Sequence, residues 1–266
     1  MKKLLFIVVA TTSLLNSFAQ DSTSKKGKRD IRREEKRQKV NDMIKQEEEG
    51  VLVYKKQSIF GVQLRSFGYG FFYETGKMKS QRNTTVFNIG FSEIKHPKED
   101  KLPNTSFFFG NPYIYGKINN FYQLQVGFGQ QRILGQKGNK NGVAVSTVYS
   151  GGLSFGLLRP YYIDVDDNGI TRTIKYTPED SALFVGGFIF GSSGLGKGWG
   201  EMKFKPGAFA KTGLRFDYGR FNEVVSGIEV GVSLELYSSK IPVMLFQKEK
   251  QFYLQGYIAL LFGRRR

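Results

Sequence analysis

The sequence predicts an all-β protein: an antiparallel up-and-down transmembrane β-barrel of about eight strands, ten being possible, behind a short charged helical or disordered N-terminal segment. Three observations predict it. Apolar and polar residues alternate with a period of two over unusually long runs, as in VAVSTVYSGGLSFGLL from Val143 to Leu158, whereas ordinary strands are about five or six residues long. The 266 residues include 32 Gly, 24 Phe and 14 Tyr against one Trp and seven Pro, a sheet-like composition because aromatic side chains favour strands. A leader opens the chain, yet no later apolar run approaches the ~18 residues that a spanning helix needs.

That leader occupies residues 1–19. Lys2 and Lys3 form a charged start, Leu4 to Leu15 an apolar centre, and Ser17-Phe18-Ala19 offers small residues, Ser17 and Ala19, at the spacing a signal peptidase reads. Cleavage is expected after Ala19, leaving Gln20 first in the mature chain. The absence of cysteine excludes disulfide staples, thiol catalysis, thiolate metal sites and a lipid-modified cysteine together.

Residues 20–50 are dense in charge and contain no aromatic residue, and Ile31, Val40, Met43 and Ile44 make only a thin apolar stripe. This basic periplasmic segment begins basic, ends in Glu47-Glu48-Glu49, and reads as a solvated helix or tether. Its sharper reading is a docking arm, through residues 25–46, for an acidic periplasmic or outer-membrane protein partner or for the inner leaflet surface.

The barrel is expected over 51–266, with strands near 58–73, 84–95, 117–134, 142–165, 170–190, 205–218, 224–238 and 250–263. In the first, Phe60, Val62 and Leu64 oppose Gly61, Gln63 and Arg65, although the phase blurs in FGYGFFY. The second sets Thr85, Phe87, Ile89 and Phe91 against Asn88, Gly90 and Ser92, and the third sets Tyr122, Leu124, Val126 and Phe128 against Gln123, Gln125, Gly127 and Gly129. The fourth follows the glycine-bearing turn QKGNKNG. The fifth combines Ile170–Tyr176 with the apolar run Ala182–Phe190, and DDNG before it signals a hairpin. In the last three, aliphatic residues such as Leu214, Val230 and Leu260 share one face.

A soluble sandwich turns its greasy face inward and keeps its strands short. Here the face opposite the aliphatics is rich in Gly, Ser and Gln, which suits a narrow lumen, with lipid touching the bulky face. Lys211, Arg215 and Asp217 on one inward row, with Glu229 and Glu235 on the next strand, are expected to satisfy one another. Tyr161, Tyr162, Tyr218, Phe221, Tyr237, Phe252 and Tyr253 are placed for aromatic girdles.

The leader ending in SFAQ, the long alternating strands and the last strand FYLQGYIALLF ending at Phe262 resemble small outer-membrane β-barrel proteins of Gram-negative bacteria. The resemblance implies residence in the cell outer membrane and recognition of the terminal aromatic strand by the barrel-assembly machinery. The chain departs from that pattern in Gly263-Arg264-Arg265-Arg266, a basic tail that would rest on phosphates at the membrane edge.

The net charge of +17 seeks anions. For an exported chain these are outer-membrane lipid, lipopolysaccharide or acidic protein partners; no nucleic-acid motif is found. GSSGLGKG, Gly191 to Gly198, nearly spells a phosphate loop but has Gly198 where a hydroxyl must hold magnesium. Asp164, Asp166, Asp167 and Asn168 resemble a calcium loop in composition without its spacing. No catalytic, cofactor-binding or metal-binding residue is therefore assigned, and no cofactor is expected. The function read from the sequence is a non-enzymatic envelope component, an export or assembly accessory that contacts protein partners or lipopolysaccharide. The alternatives are a lipid-modifying enzyme using Ser92 and the single histidine, His96, and a small anion-favouring channel.

Overall fold

The computed structural model describes residues 30–38, 40–41, 54–103, 111–138, 142–219 and 223–266. The chain divides into two units, Met1–Val51 and Leu52–Arg266. In the first, 30–38 and 40–41 are helical and exposed; the leader, and half of the proposed docking arm, lie outside the described residues.

In the second unit eight strands close a barrel in the order β1-β13-β12-β11-β7-β6-β3-β2. They are β1 (Lys56–Arg65), β2 (Gly68–Ser80), β3 (Asn83–Ile94), β6 (Asn119–Gly135), β7 (Ala144–Pro160), β11 (Lys203–Asp217), β12 (Val224–Ile241) and β13 (Lys250–Arg265). Every pairing is antiparallel between successive barrel strands, and β1 closes on β13 through Phe60 opposite Phe262. Closure removes the edges that would otherwise template association. The remaining strands lie outside the ring: β4 (Lys101–Leu102) pairs with β5 (Tyr113–Ile114), while β8 (Tyr162–Asp167) pairs with β9 (Ile170–Lys175) and β10 (Ile189–Ser192). A helix, α1 (Ser181–Gly186), packs Phe184 against Ile163, Val165 and Ile174.

The strand number agrees with the sequence reading, but three assignments change. The segment 58–73 is two strands joined by Ser66-Phe67, so the outward residues switch from even numbers (Phe60, Val62, Leu64) to odd ones (Tyr69, Phe71, Tyr73). That phase switch is what blurred FGYGFFY. The segment 170–190 is not a barrel strand; it forms β9, α1 and part of β10 in the long connection from β7 to β11. The fourth segment stops at Pro160, and its continuation is β8. The DDNG hairpin forms as read: Asp166 faces Thr171, and Asn168 and Gly169 both take left-handed φ, 57° and 84°, as a tight type I′ turn requires.

The connections sort by end. At one end β2 leads to β3, β6 to β7 and β11 to β12, beside the start of β1 and the end of β13; at the other β1 leads to β2, β3 to β6, β7 to β11 and β12 to β13. The two longest connections, β3 to β6 and β7 to β11, share the second end, the long-loop end; such an asymmetry between shorter turns and longer loops is the habit of outer-membrane barrels.

Candidate functional site

The inward face of the opening stretch is the small one, with Ala144, Ser146, Ser150 and Ser154 buried in the lumen. Small residues on the lumen wall leave room for larger groups from nearby strands. Gly61 faces the ring of Phe72 and Gly127 that of Phe209, so closely that a Cβ would stand 2.5 and 2.6 Å from those ring atoms. The lumen is thus filled by rings as well as by small residues, as an eight-strand barrel allows.

The charges form a lattice at its centre. Arg215 on β11 donates two hydrogen bonds to Glu74 on β2, both 2.9 Å, and two to Glu229 on β12, at 2.9 and 2.7 Å. Its Nη1 also reaches Gln131 at 3.2 Å. Arg215, Glu74 and Glu229 are 0% exposed. Ionised groups withdrawn from water need such near-complete pairing, because desolvation costs several kcal/mol per ion. Lys211 stands 3.8 Å from Glu229 and over the Phe72 ring, and Tyr257 donates to Glu229 at 2.8 Å. A second node lies nearer the long loops, where Arg65 pairs with Glu235 and bonds Gln123 and Ser233. A third lies at the short-turn end, where Asp217 holds Arg265. The expected row of Lys211, Arg215, Asp217, Glu229 and Glu235 is therefore inward and paired. Arg65, Glu74 and Arg265 complete it from strands the local pattern did not connect.

Above the second node the lumen closes on an apolar cluster of Ile94, Phe121, Leu158, Tyr237, Ile241, Val243 and Tyr253, against which Phe67 and Met244 pack. Tyr237 and Tyr253 are buried here, Tyr237 taking a hydrogen bond from Gln123 at 2.6 Å. Two of the expected girdle residues are thus lumen fillers, because they share the odd-numbered parity of Glu235 and Tyr257. Tyr218 and Phe252 do stand exposed on the outside, Tyr161 and Tyr162 belong to the long-loop end, and Phe221 lies outside the described residues.

The outer wall is the reverse. Leu64, Phe128, Leu153, Val230, Leu254 and Ile258 are all exposed, Leu153 to 58% and Leu64 to 67%. A continuous belt of exposed aliphatic and aromatic side chains around a closed, polar-cored ring has one stable surrounding, hydrocarbon. The chain is a transmembrane β-barrel of the outer-membrane type. No helix among the described residues is long and apolar enough to cross a membrane; the strands make the crossing.

No family model matches the chain, and no curated protein matches it. Among solved structures it is similar to Neisserial surface protein A, 9% identical with a TM-score of 0.38 over 79% of this chain and 96% of that one. It is also similar to Ail of Yersinia pestis, solved with the heparin analogue sucrose octasulfate, at 12% identity and a TM-score of 0.37 over 80% and 100%. A third is the N-terminal β-barrel domain of OprF from Pseudomonas aeruginosa, at 9% and 0.34 over 79% and 100%.

The residues weighed for chemistry are not brought together. Ser92 is an inward lumen residue, 1% exposed, whose Oγ accepts a hydrogen bond from Gln63 at 3.0 Å. His96 lies in the loop after β3, where its Nδ1 accepts from the Lys98 N–H at 3.2 Å. Burial, then the nearby Lys250 charge, holds the His96 pKa below its ordinary value. GSSGLGKG leads into the three-residue 3-10 turn Trp199–Glu201, and Lys197 there donates to Thr173 at 2.9 Å. Asp164 accepts from Thr173 and Ser193, both at 2.6 Å, and Asp166 from the Gly169 N–H at 2.9 Å. Both features are internal bracing of the loop head. The basic tail is not free: Arg265 continues β13, and the Arg266 carbonyl accepts from the Lys55 and Lys56 N–H groups at 2.7 and 2.8 Å.

The long-loop end carries built structure. Lys117 pairs with Glu99 at 2.6 Å with both side chains 4% exposed, and burial pulls the Lys117 pKa down although Glu99 opposes it. Arg159 lies 4.8 Å from the Trp199 ring, which stacks on Tyr122. Exposed apolar side chains stand on this braced head: Ile170, Leu195, Trp199 and Phe246.

Proposed function

We propose that the protein is a non-enzymatic component of the outer membrane in which the barrel is a sealed anchor and the long-loop head is the contact surface for envelope partners. The observation that carries this reading is the contrast between the two: Arg215, Glu74 and Glu229 are wholly buried in the lumen, while Ile170 and Leu195 stand 71% and 75% exposed on a head held by its own small core. A packed lumen argues against a pore. Rigid exposed apolar groups are suited to binding another molecule, because little order remains to be lost on contact.

In this reading the head faces outward and the short turns face the periplasm, following the loop-length asymmetry. Exposed Lys203, Lys240 and Lys250 stand at the head-end limits of three adjacent strands, where lipopolysaccharide phosphates would meet them. Residues 1–19 would be removed on export, and the segment 20–50 would meet a periplasmic partner as part of an export or assembly machine.

A photo-crosslinking residue placed at Leu195, at Trp199 or, as control, at Leu153 tests the reading in intact cells. Discrete adducts with an envelope protein or lipopolysaccharide are expected from the two head positions and not from Leu153. Head positions that give no adduct, in a correctly inserted barrel, would contradict it.

A further inference from the structure

The short-turn end of the outer wall carries a graded surface across β13, β1 and β2. Register places Phe262, Phe60 and Tyr73 side by side as one rung, and Arg264, Ser58 and Thr75 as the next toward the barrel end. The third rung is Arg266, Lys56 and Lys77: Arg266 is tied to Lys56 through their backbones, and Lys56 faces Lys77. All of these side chains except Ser58 and Thr75 are aromatic or cationic, and all are exposed. Like charges placed opposite one another across strands are unfavourable on their own.

The small residue in the middle rung matters. Ser58 leaves a groove of about 450 Å³ whose lining includes Phe60, Tyr73 and Phe262 on one side and Lys56, Arg264 and Arg266 on the other. Rungs are two residues apart, so the cationic rung lies roughly 13 Å along the strands from the aromatic one. A molecule that fits has an acyl chain to lie on the rings and a phosphate to meet the cations.

We infer that this groove at the β1–β13 seam binds an anionic glycerophospholipid of the periplasmic leaflet. The inference rests on the transmembrane reading and the orientation proposed above. Charge complementarity selects the lipid: Lys56, Lys77, Arg264 and Arg266 gather at one rim, and none of them has an acidic partner among the ion pairs of the described residues. The ligand in turn relieves the repulsion between Lys56 and Lys77 and pins the strand pair that closes the ring.

The test is retention of phosphatidylglycerol against phosphatidylcholine by the full-length mature protein, read by native mass spectrometry after purification in mild detergent. Wild type is expected to retain phosphatidylglycerol selectively. Each cation removed in a K56Q/R264Q/R266Q variant should lower retention by about fivefold, since a basic side chain near an anionic membrane surface contributes roughly 1 kcal/mol. Ser58→Trp keeps every charge but fills the groove, and it should lose retention too. Equal retention by the triple variant, or full retention by Ser58→Trp, would overturn the inference. Displacement of the lipid by millimolar inorganic phosphate would likewise overturn it, as marking a plain anion site. Heat-modifiable migration of each variant reports the barrel separately, so loss of the fold or of the membrane reading shows there and not as selective loss of one lipid.

Discussion

Arg215 and Glu74 meet across the full width of the barrel, 141 residues apart in sequence and on strands four places apart in a ring of eight. Their paired 2.9 Å hydrogen bonds, joined by Glu229 from the strand beside Arg215, tie opposite walls at a fully buried point of the lumen. The pair fixes how far the ring can open and which strands face one another.

Arg215→Met leaves two carboxylates buried without their cation and is expected to cost about 3–5 kcal/mol. Urea unfolding of the refolded barrel in lipid checks this. An R215M/E74Q/E229Q variant removes the stranded charges as well and should recover part of the loss. A single variant as stable as wild type would show that the lattice contributes nothing.

Because ion pairs and the Tyr237 cluster fill the lumen, the purified protein should give no steady conductance in planar bilayers. Ohmic channels of reproducible size would refute the sealed anchor.

The outer belt predicts a depth-dependent response. Leu153→Arg places a charge near the middle of β7, opposite Val126 and Ala208, and should destabilise the inserted barrel by about 2–4 kcal/mol. Leu195→Arg, on the loop head, should leave unfolding unchanged within about 0.5 kcal/mol.

His96 offers a pH signature outside the membrane. Its pKa is lowered in the folded loop by burial first and Lys250 second, so the folded state binds fewer protons than the unfolded chain. Local stability is then full above the ordinary histidine range and falls as pH drops through the ordinary value of 6.5 toward the folded one. Histidine NMR shifts should give a midpoint below 6.5, moving upward in Lys250→Gln. A midpoint above 6.5 would contradict the burial.

Much of this was legible in the sequence, for a physical reason. Strand parity assigns each side chain to lipid or lumen without knowledge of its partners, so the aliphatic belt and the row from Lys211 to Glu235 could be read directly. Parity also places Tyr237 and Tyr253 inward, and the expectation of girdles for them gave aromatic type more weight than position. Glu74 and Arg65 were missed as partners because pairing across a lumen joins residues 141 and 170 apart, and local period carries no such information. The tight Ser66-Phe67 turn lacks the Asn-Gly type of signal, which hid one strand boundary. The run Ala182–Phe190 is as apolar as a strand because Phe184 buries in the core of the loop head; one missed boundary and one surplus strand leave the number at eight.

Spin labels at Leu153, Val230 and Phe128, with Leu195 as reference, test the central claim most directly in reconstituted bilayers. Collision with oxygen should exceed collision with a water-soluble nickel chelate at the three wall positions, and the order should reverse at Leu195. Wall labels that meet the chelate freely would place those side chains in water and contradict the membrane-spanning barrel.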